Sequence, residues 1–245
     1  MKTIQLEETD STNSWCSAHI SELDHLTMVR SSRQTAGRGQ RGNSWESEPG
    51  RNLTFSVVLR PRDFRASLQF SLSEAVALAV ADTLGWYGIP AKVKWPNDVY
   101  VGDRKISGIL IEHAVGGTDI IHSVCGVGLN VNQATFLSDA PNPVSMRQIS
   151  GGEYDLDEVA GVFGRALEQT IGLTASPGGR EMLHADFMRR LWRGDGMAHP
   201  FRDTSTGEEF RAVIADVEPD GHLRLLDEKM TPRRYAFKEV EFVIK

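Results

Sequence analysis

Four short stretches of the 245-residue chain hold side chains of the kinds that bind anions, flat rings and amide edges. The first runs Arg33-Gln34-Thr35-Ala36-Gly37-Arg38-Gly39-Gln40-Arg41-Gly42-Asn43-Ser44-Trp45. From Arg30 to Trp45 there is no carboxylate, although the whole chain carries a formal net charge of −6. Gly37, Gly39 and Gly42 let the backbone approach a ligand closely and turn its N–H groups toward an anion. The arginines add fixed positive charge, and Trp45 offers a surface for stacking. Taken alone, the stretch reads more readily as a solvated surface loop. Its glycines also spell Gly-x-Gly-x-x-Gly, but a strand rather than a helix follows them, which excludes the dinucleotide-binding reading.

The second stretch is Lys94-Trp95-Pro96-Asn97-Asp98, where Pro96 stops a strand and turns Asn97 and Asp98 out at its end. A lysine, an amide and a carboxylate in five residues suit phosphate, base and metal, and equally suit a capped turn. In the third, Arg104 to Glu112, Lys105 opens an apolar strand that can hold its ammonium toward a site. The fourth, Gly126-Val127-Gly128-Leu129-Asn130, puts two glycines inside a strand, costly unless another group must come close. Asn130 can hydrogen-bond a base edge or a backbone. The seven histidines and two cysteines show no metal-ligand spacing, and there is no Gly-x-Ser-x-Gly elbow. An enzyme of this sequence works by positioning and electrostatics, without a covalent side-chain intermediate.

The elements that must position these stretches follow from the pattern of apolar residues. The first residues read as a polar lead-in to Asp10-Ser11-Thr12-Asn13-Ser14, a helix-capping cluster. Thr27 to Arg30 and Leu53 to Leu59 read as strands, with a loop from Arg33 to Gly50 between them. Apolar residues at 72, 76, 80 and 84 predict a buried helix, closed by Gly85 or Gly88 and then Pro90. Lys92 to Trp95 and Lys105 to Glu112 read as strands joined through a turn at Gly102-Asp103, and Ile120 to Val131 as another. Asp155 and Glu158 fit a capping box ahead of a helix, and Leu183, Phe187 and Leu191 mark a further one. After Gly194-Asp195-Gly196 the helical period disappears. Glu209 to Val217, His222 to Asp227 and Arg234 to Ile244 read as strands of a small barrel-like module. The class is α+β: a mixed β-sheet body flanked by helices over residues 1–195, then a small β domain over 196–245.

Composition narrows the function classes. Forty percent hydrophobic and 24% charged residues exclude a disordered or collagen-like chain. The acidic balance argues against a dedicated DNA coater. Two cysteines without a framework favour a reducing compartment. No apolar run approaches the roughly 18 residues of a membrane span, and no signal peptide opens the chain, so the expected location is the cytoplasm.

In this order, Ser11-Thr12-Asn13, Gly37-Arg38-Gly39 through Trp45, Lys94 to Asp98, Lys105 to Gly108 and Gly126 to Asn130 resemble the biotin–protein ligases. The similarity runs from about Thr9 to Asn132, and the tail is similar to that family's small C-terminal domain, an SH3-like β-barrel. The resemblance implies activation of biotin by ATP to biotinyl-5′-AMP, then transfer to a lysine of a carrier protein. The substrates implied are biotin and ATP, with Mg²⁺ held at Asp98. The implied catalytic set is Lys105, Arg38, Arg41 and Asp98. Ser11, Thr12, Asn13 and Gln34 would contact the biotin head group. The backbone of Arg38 to Gln40, with Gly37 and Gly39, would cover the carboxylate and phosphates, and Lys105, beside Gly108, would bridge carboxylate and α-phosphate. Trp45 and Asn130 would bracket the adenine; Asn97, Asp98 and nearby Lys94 would face the phosphates. Many relatives have arginine where Gln40 stands, so Arg41 would substitute for that charge.

The implied partner is the biotin carboxyl carrier domain of acetyl-CoA carboxylase or another biotin-dependent carboxylase, with neither DNA nor a membrane; a homodimer is left open. Because the first motif starts at Ser11, the expected form is the short one without an N-terminal DNA-binding domain. Two alternatives are a lipoate or octanoate ligase or transferase on the same body, and a non-catalytic nucleotide or nucleic-acid binding module.

Overall fold

A computed structural model describes residues 1–40, 43–137 and 142–244 of the chain. Seven strands form one sheet: β1 (Lys2–Thr9), β2 (Thr27–Gln34), β3 (Leu53–Leu59), β4 (Lys92–Lys94), β5 (Asp98–Val101), β6 (Arg104–Gly116) and β7 (Asp119–Leu129). Their spatial order is β1-β2-β3-β7-β6-β5-β4, and only β1 and β2 run parallel. The expected polar lead-in is therefore an edge strand, with Ile4 and Leu6 half-buried between more polar neighbours. β5 is also additional to the expected strands. Pro96 ends β4 as expected, but the chain folds back at once and Asp98 pairs with Lys94.

Every residue of β3 is buried, because the sheet is covered on both faces at its centre. Side chains alternate across a strand. Phe55, Val57 and Leu59 join Cys125, Val127 and Leu129 under the long helix α2 (Phe70–Trp86). Behind it lie α4 (Leu156–Leu173) and α5 (Pro177–Arg189), preceded by the short α3 (Met146–Ser150). On the opposite face, Val58 and Val124 pack with Cys16 of α1 (Thr12–Ala18), while Ser56, Gly126 and Gly128 leave a polar, low-lying patch. α2 runs through Gly85; Gly88, with φ of +72°, lies beyond its end.

The tail forms a second, antiparallel five-stranded sheet in the order β11-β10-β9-β8-β12. These strands are β8 (His199–Asp203), β9 (Glu209–Val217), β10 (Leu223–Asp227), β11 (Pro232–Tyr235) and β12 (Val240–Phe242). β8 is additional, and the run expected as one strand from Arg234 divides into two. Phe201, Ile214, Leu225 and Val240 of this sheet belong to the same buried apolar cluster as α2 and the central sheet.

Candidate functional site

The polar patch beside α1 is the floor of a pocket. Ser56 lies opposite Gly126 across the β3–β7 ladder, and a methyl group at 126 would overlap Asn13 Oδ1. Ser11, Thr12 and Asn13 enter from the start of α1, each 3% exposed. Ser11 has the extended backbone of an N-cap but makes no side-chain cap bond; its N–H donates to Asp10 Oδ1 at 2.6 Å. Asn13 Oδ1 accepts from Ser56 Oγ at 2.6 Å, and Ser56 Oγ lies 2.7 Å from Thr12 Oγ1. Asn13 Nδ2 donates to Glu112 Oε2 at 2.8 Å and to Leu110 O at 3.3 Å. Thr12 N donates to Gln34 Oε1 at 2.7 Å, which ties the end of β2 into the same network.

Residues 37–40 and 43–45 of the glycine- and arginine-rich segment pair with each other over this floor. Trp45 N donates to Gly37 O at 3.0 Å, Arg38 bridges Ser44, and Gly39 N donates to Asn43 O at 2.6 Å. That last bond commits one of the N–H groups expected to meet an anion. Arg38 Nη2 reaches down to Glu112 Oε1 at 2.7 Å. The Trp45 indole lies on β6 and β7 where Gly108 and Gly128 have no side chain; a methyl at either would collide with the ring. Its Nε1 is buried without a partner among the described residues. Arg41 and Gly42 lie outside the described residues.

The far wall comes from β5 and β6. Lys105 Nζ is 2.7 Å from Asp98 Oδ1 and 5.6 Å from the Trp45 ring centroid. Asn97 donates its amide to Ile109 O, and Ile109 N returns a bond to Asn97 O at 3.0 Å, so the Asn97 side chain fastens the turn to β6.

One pocket thus gathers Ser11, Thr12 and Asn13 from α1, Gln34 from β2, and Arg38, Gly39, Gln40 and Trp45 from the paired segment. Asn97 from the β4–β5 turn, Asp98 from β5, and Lys105 and Gly108 from β6 complete it. Three sequence-level candidates lie off its wall. Gly37 lets the two paired stretches lie close; a Cβ there would sit 2.7 Å from Trp45 O. Lys94 turns toward the tail, with Nζ 5.1 Å from the ring centroids of Tyr100 and of Phe242, and burial pushes its ammonium below the usual range. Asn130 is buried and donates to Val144 O at 3.1 Å, leaving its Oδ1 without a partner among the described residues. Ser56 and Glu112 were not expected. Glu112 carries a signal that points to it: it is a carboxylate inside the apolar run Ile109-Leu110-Ile111 to Val115. Ser56 carries none, because its meaning comes from facing α1 across the sheet.

For a divalent cation the pocket wall offers Asp98, one of whose oxygens is held by Lys105. This fits Mg²⁺ that arrives on a polyphosphate, which needs only one or two protein carboxylates. The group of three potential metal donors found among the described residues, Glu218, Asp220 and His222, lies instead in the β9–β10 turn, where arginines pair its carboxylates.

The family model for the biotin/lipoate A/B protein ligase family matches residues 5–130. A biotin–[acetyl-CoA-carboxylase] ligase of Mycobacterium tuberculosis is 33% identical over 227 residues, covering 89% of this chain and 80% of that protein. The bifunctional ligase/repressor BirA of Escherichia coli is 37% identical over 172 residues, covering 69% of this chain. The chain spans only about half the length of that relative, 53%, and 41% of the corresponding Bacillus spizizenii protein. In fold, the chain is similar to a biotin protein ligase of Aquifex aeolicus solved with biotin and ATP, with TM-score 0.81, 23% identity and 99% of each chain covered.

Proposed function

Since the chain belongs to the biotin/lipoate A/B protein ligase family, we propose that it is a biotin–protein ligase that makes biotinyl-5′-AMP and passes the biotinyl group to a carrier lysine. The observation that carries this reading is the Lys105–Asp98 pair standing on one wall of a pocket whose opposite floor is the hydrogen-bonded set Thr12, Asn13 and Ser56.

In the first half-reaction a carboxylate oxygen of biotin attacks the α-phosphorus of ATP, and the bond to pyrophosphate breaks. Two anions must meet, and the attack spreads negative charge over the α-phosphate oxygens. Lys105, held by Asp98 on a rigid strand, supplies a fixed cation at that point, and Arg38 supplies a second from the paired segment; such preorganised charge lowers the barrier. The buried Ser11, Thr12 and Asn13, with the half-buried Gln34, form a polar set that suits a compact amide-like head group, whose donors and acceptors would otherwise be left unpaired. Trp45, on the pocket wall, suits stacking against a base, while Asn130 lies buried off that wall and bonded to Val144 O. Mg²⁺ bound beside Asp98 would neutralise phosphate charge. In the second half-reaction a lysine amine of a carboxyl carrier domain attacks the acyl carbon of the mixed anhydride, an amide forms and AMP leaves.

Residues 1–195 are assigned to the catalytic unit and 196–245 to a second unit docked on it. A cytoplasmic location is supported by Cys16 and Cys125, both buried free thiols. No helix among the described residues is long and apolar enough to cross a membrane.

The test is exchange of labelled pyrophosphate into ATP with biotin, lipoate or neither. Biotin-dependent exchange is expected; exchange that follows lipoate and ignores biotin overturns the reading in favour of the other branch of the family. Lys105→Ala is expected to lower biotin-dependent exchange by at least about 100-fold, the loss of about 2.7 kcal/mol of transition-state stabilisation. A loss under about threefold, roughly 0.65 kcal/mol, removes Lys105 from its assigned role.

A further inference from the structure

Glu112 sends its two carboxylate oxygens to two different places. Oε2 points inward to Asn13 Nδ2 at 2.8 Å, and Oε1 points outward to Arg38 Nη2 at 2.7 Å. The inward partner is nearly inaccessible to solvent, with Asn13 3% exposed. The outward pair is half in water, with side chains 46% and 37% exposed. This one carboxylate on β6 therefore joins the floor of the pocket to the arginine of the paired segment above it.

The two contacts differ in what they can do. Asn13 could present its amide either way round, but a flipped amide would set its oxygen against both the Glu112 carboxylate and Leu110 O. The acceptor oxygen of Glu112, together with Leu110 O, thus decides which end of the amide meets Ser56 and which edge faces the pocket. The Arg38 pair has no such rigidity. An ion pair this exposed is worth about 0–1 kcal/mol, so an anion entering the pocket can draw the guanidinium away at little cost. Without Glu112, Arg38 would line the same pocket as Lys105, whose carboxylate partner is Asp98, and would lose the carboxylate it pairs with.

We infer that Glu112 is a positioning residue with two separable tasks: its inner oxygen fixes the orientation of the Asn13 amide, and its outer oxygen parks Arg38 at the pocket mouth until an anionic ligand takes it over. This rests on the ligase reading above, and it assigns a role to a residue that itself touches no reacting atom.

Glutamine and alanine at this position separate the two tasks. Glu112→Gln keeps an acceptor for Asn13 Nδ2 but turns an NH₂ toward Arg38; Glu112→Ala loses both partners. Steady-state pyrophosphate exchange is expected to show the biotin KM raised on the order of tenfold in Glu112→Ala, with glutamine recovering most of that rise. Reaction of Arg38 with phenylglyoxal, read by peptide mass spectrometry on the unliganded full chain, is expected to be severalfold faster in both variants. Thermal melting accompanies each measurement; should alanine fail to fold, the glutamine variant and the Arg38 reactivity still decide. Glutamine as poor as alanine in biotin KM overturns the first task. Equal Arg38 reactivity in all three proteins overturns the second. An unaltered chain without biotin-dependent exchange brings down the functional reading and this inference together, whereas an active chain with either of the other two results brings down the inference alone.

Discussion

At the scale of single residues, the pocket depends as much on side chains that are missing as on those present. Gly126, Gly128 and Gly108 make a floor on which Asn13 and the Trp45 ring lie directly. Asn13 cannot yield to a larger neighbour without losing Ser56, Glu112 or Leu110 O. Gly126→Ala is therefore expected to weaken biotin binding at least about tenfold, or 1.4 kcal/mol, by calorimetric titration. The same overpacking should lower folding stability by about 1–3 kcal/mol. Affinity within twofold of the unaltered chain would show that Asn13 does not shape the ligand site. The two β7 glycines were legible in sequence as places of close approach, because an interior strand glycine needs a reason. What approaches them was not legible: Asn13 is 113 residues away from Gly126, and cross-sheet register alone brings them together.

At the scale of elements, the strongest signals were periodicity and caps. β3 and β9 span the residues their patterns predict. Asp155 caps α4 by accepting from the N–H groups of Asp157 and Glu158. Asp155→Ala is expected to cost about 1 kcal/mol in urea or guanidinium unfolding, with no change in ligand affinity, because α4 lies behind α2, away from the pocket. An unchanged midpoint would mean that the sheet and α2, rather than the cap, hold the first turn of α4. Two of the unforeseen strands share a physical cause. β1 and β8 lie at or near sheet edges and are short or half-exposed, so they carry too little apolar alternation to identify a strand. β5 was hidden by Pro96, which correctly ends β4 but does not forbid a strand two residues later.

At the scale of the whole molecule, the question is what keeps the tail sheet in register with the pocket. Trp95, next to the Pro96-Asn97-Asp98 turn, donates its Nε1 to Gly221 O at 2.9 Å, and Phe70 of α2 packs on the same glycine. Nearby, His184 of α5 bonds Glu74 of α2 through Nδ1 at 2.6 Å and Asp216 of β9 through Nε2 at 3.0 Å. Glu74 is 3% exposed, so an unpaired charge there would be costly. The hydrogen bond to Glu74 is the main cause that pushes the His184 imidazolium up to about 9 from an ordinary 6.5, helped by Asp216. The charged groups facing it are Glu74 from α2 and Asp216 from β9; Arg224, across the ladder from Asp216, turns to Glu218. Because the folded state holds this proton more tightly than the unfolded chain, the contribution is complete below pH 6.5 and is lost as pH rises through about 9. His184→Asn is expected to melt a few degrees below the unaltered chain at pH 6, and the gap is expected to shrink steadily toward pH 9. A gap independent of pH would mean that His184 is held by packing and carries no charge in the joint. Since Gly221 bonds Trp95 two residues from Asn97, the same alkaline loosening is expected to raise the KM for ATP before the chain unfolds, and not in His184→Asn, whose joint has no proton to lose.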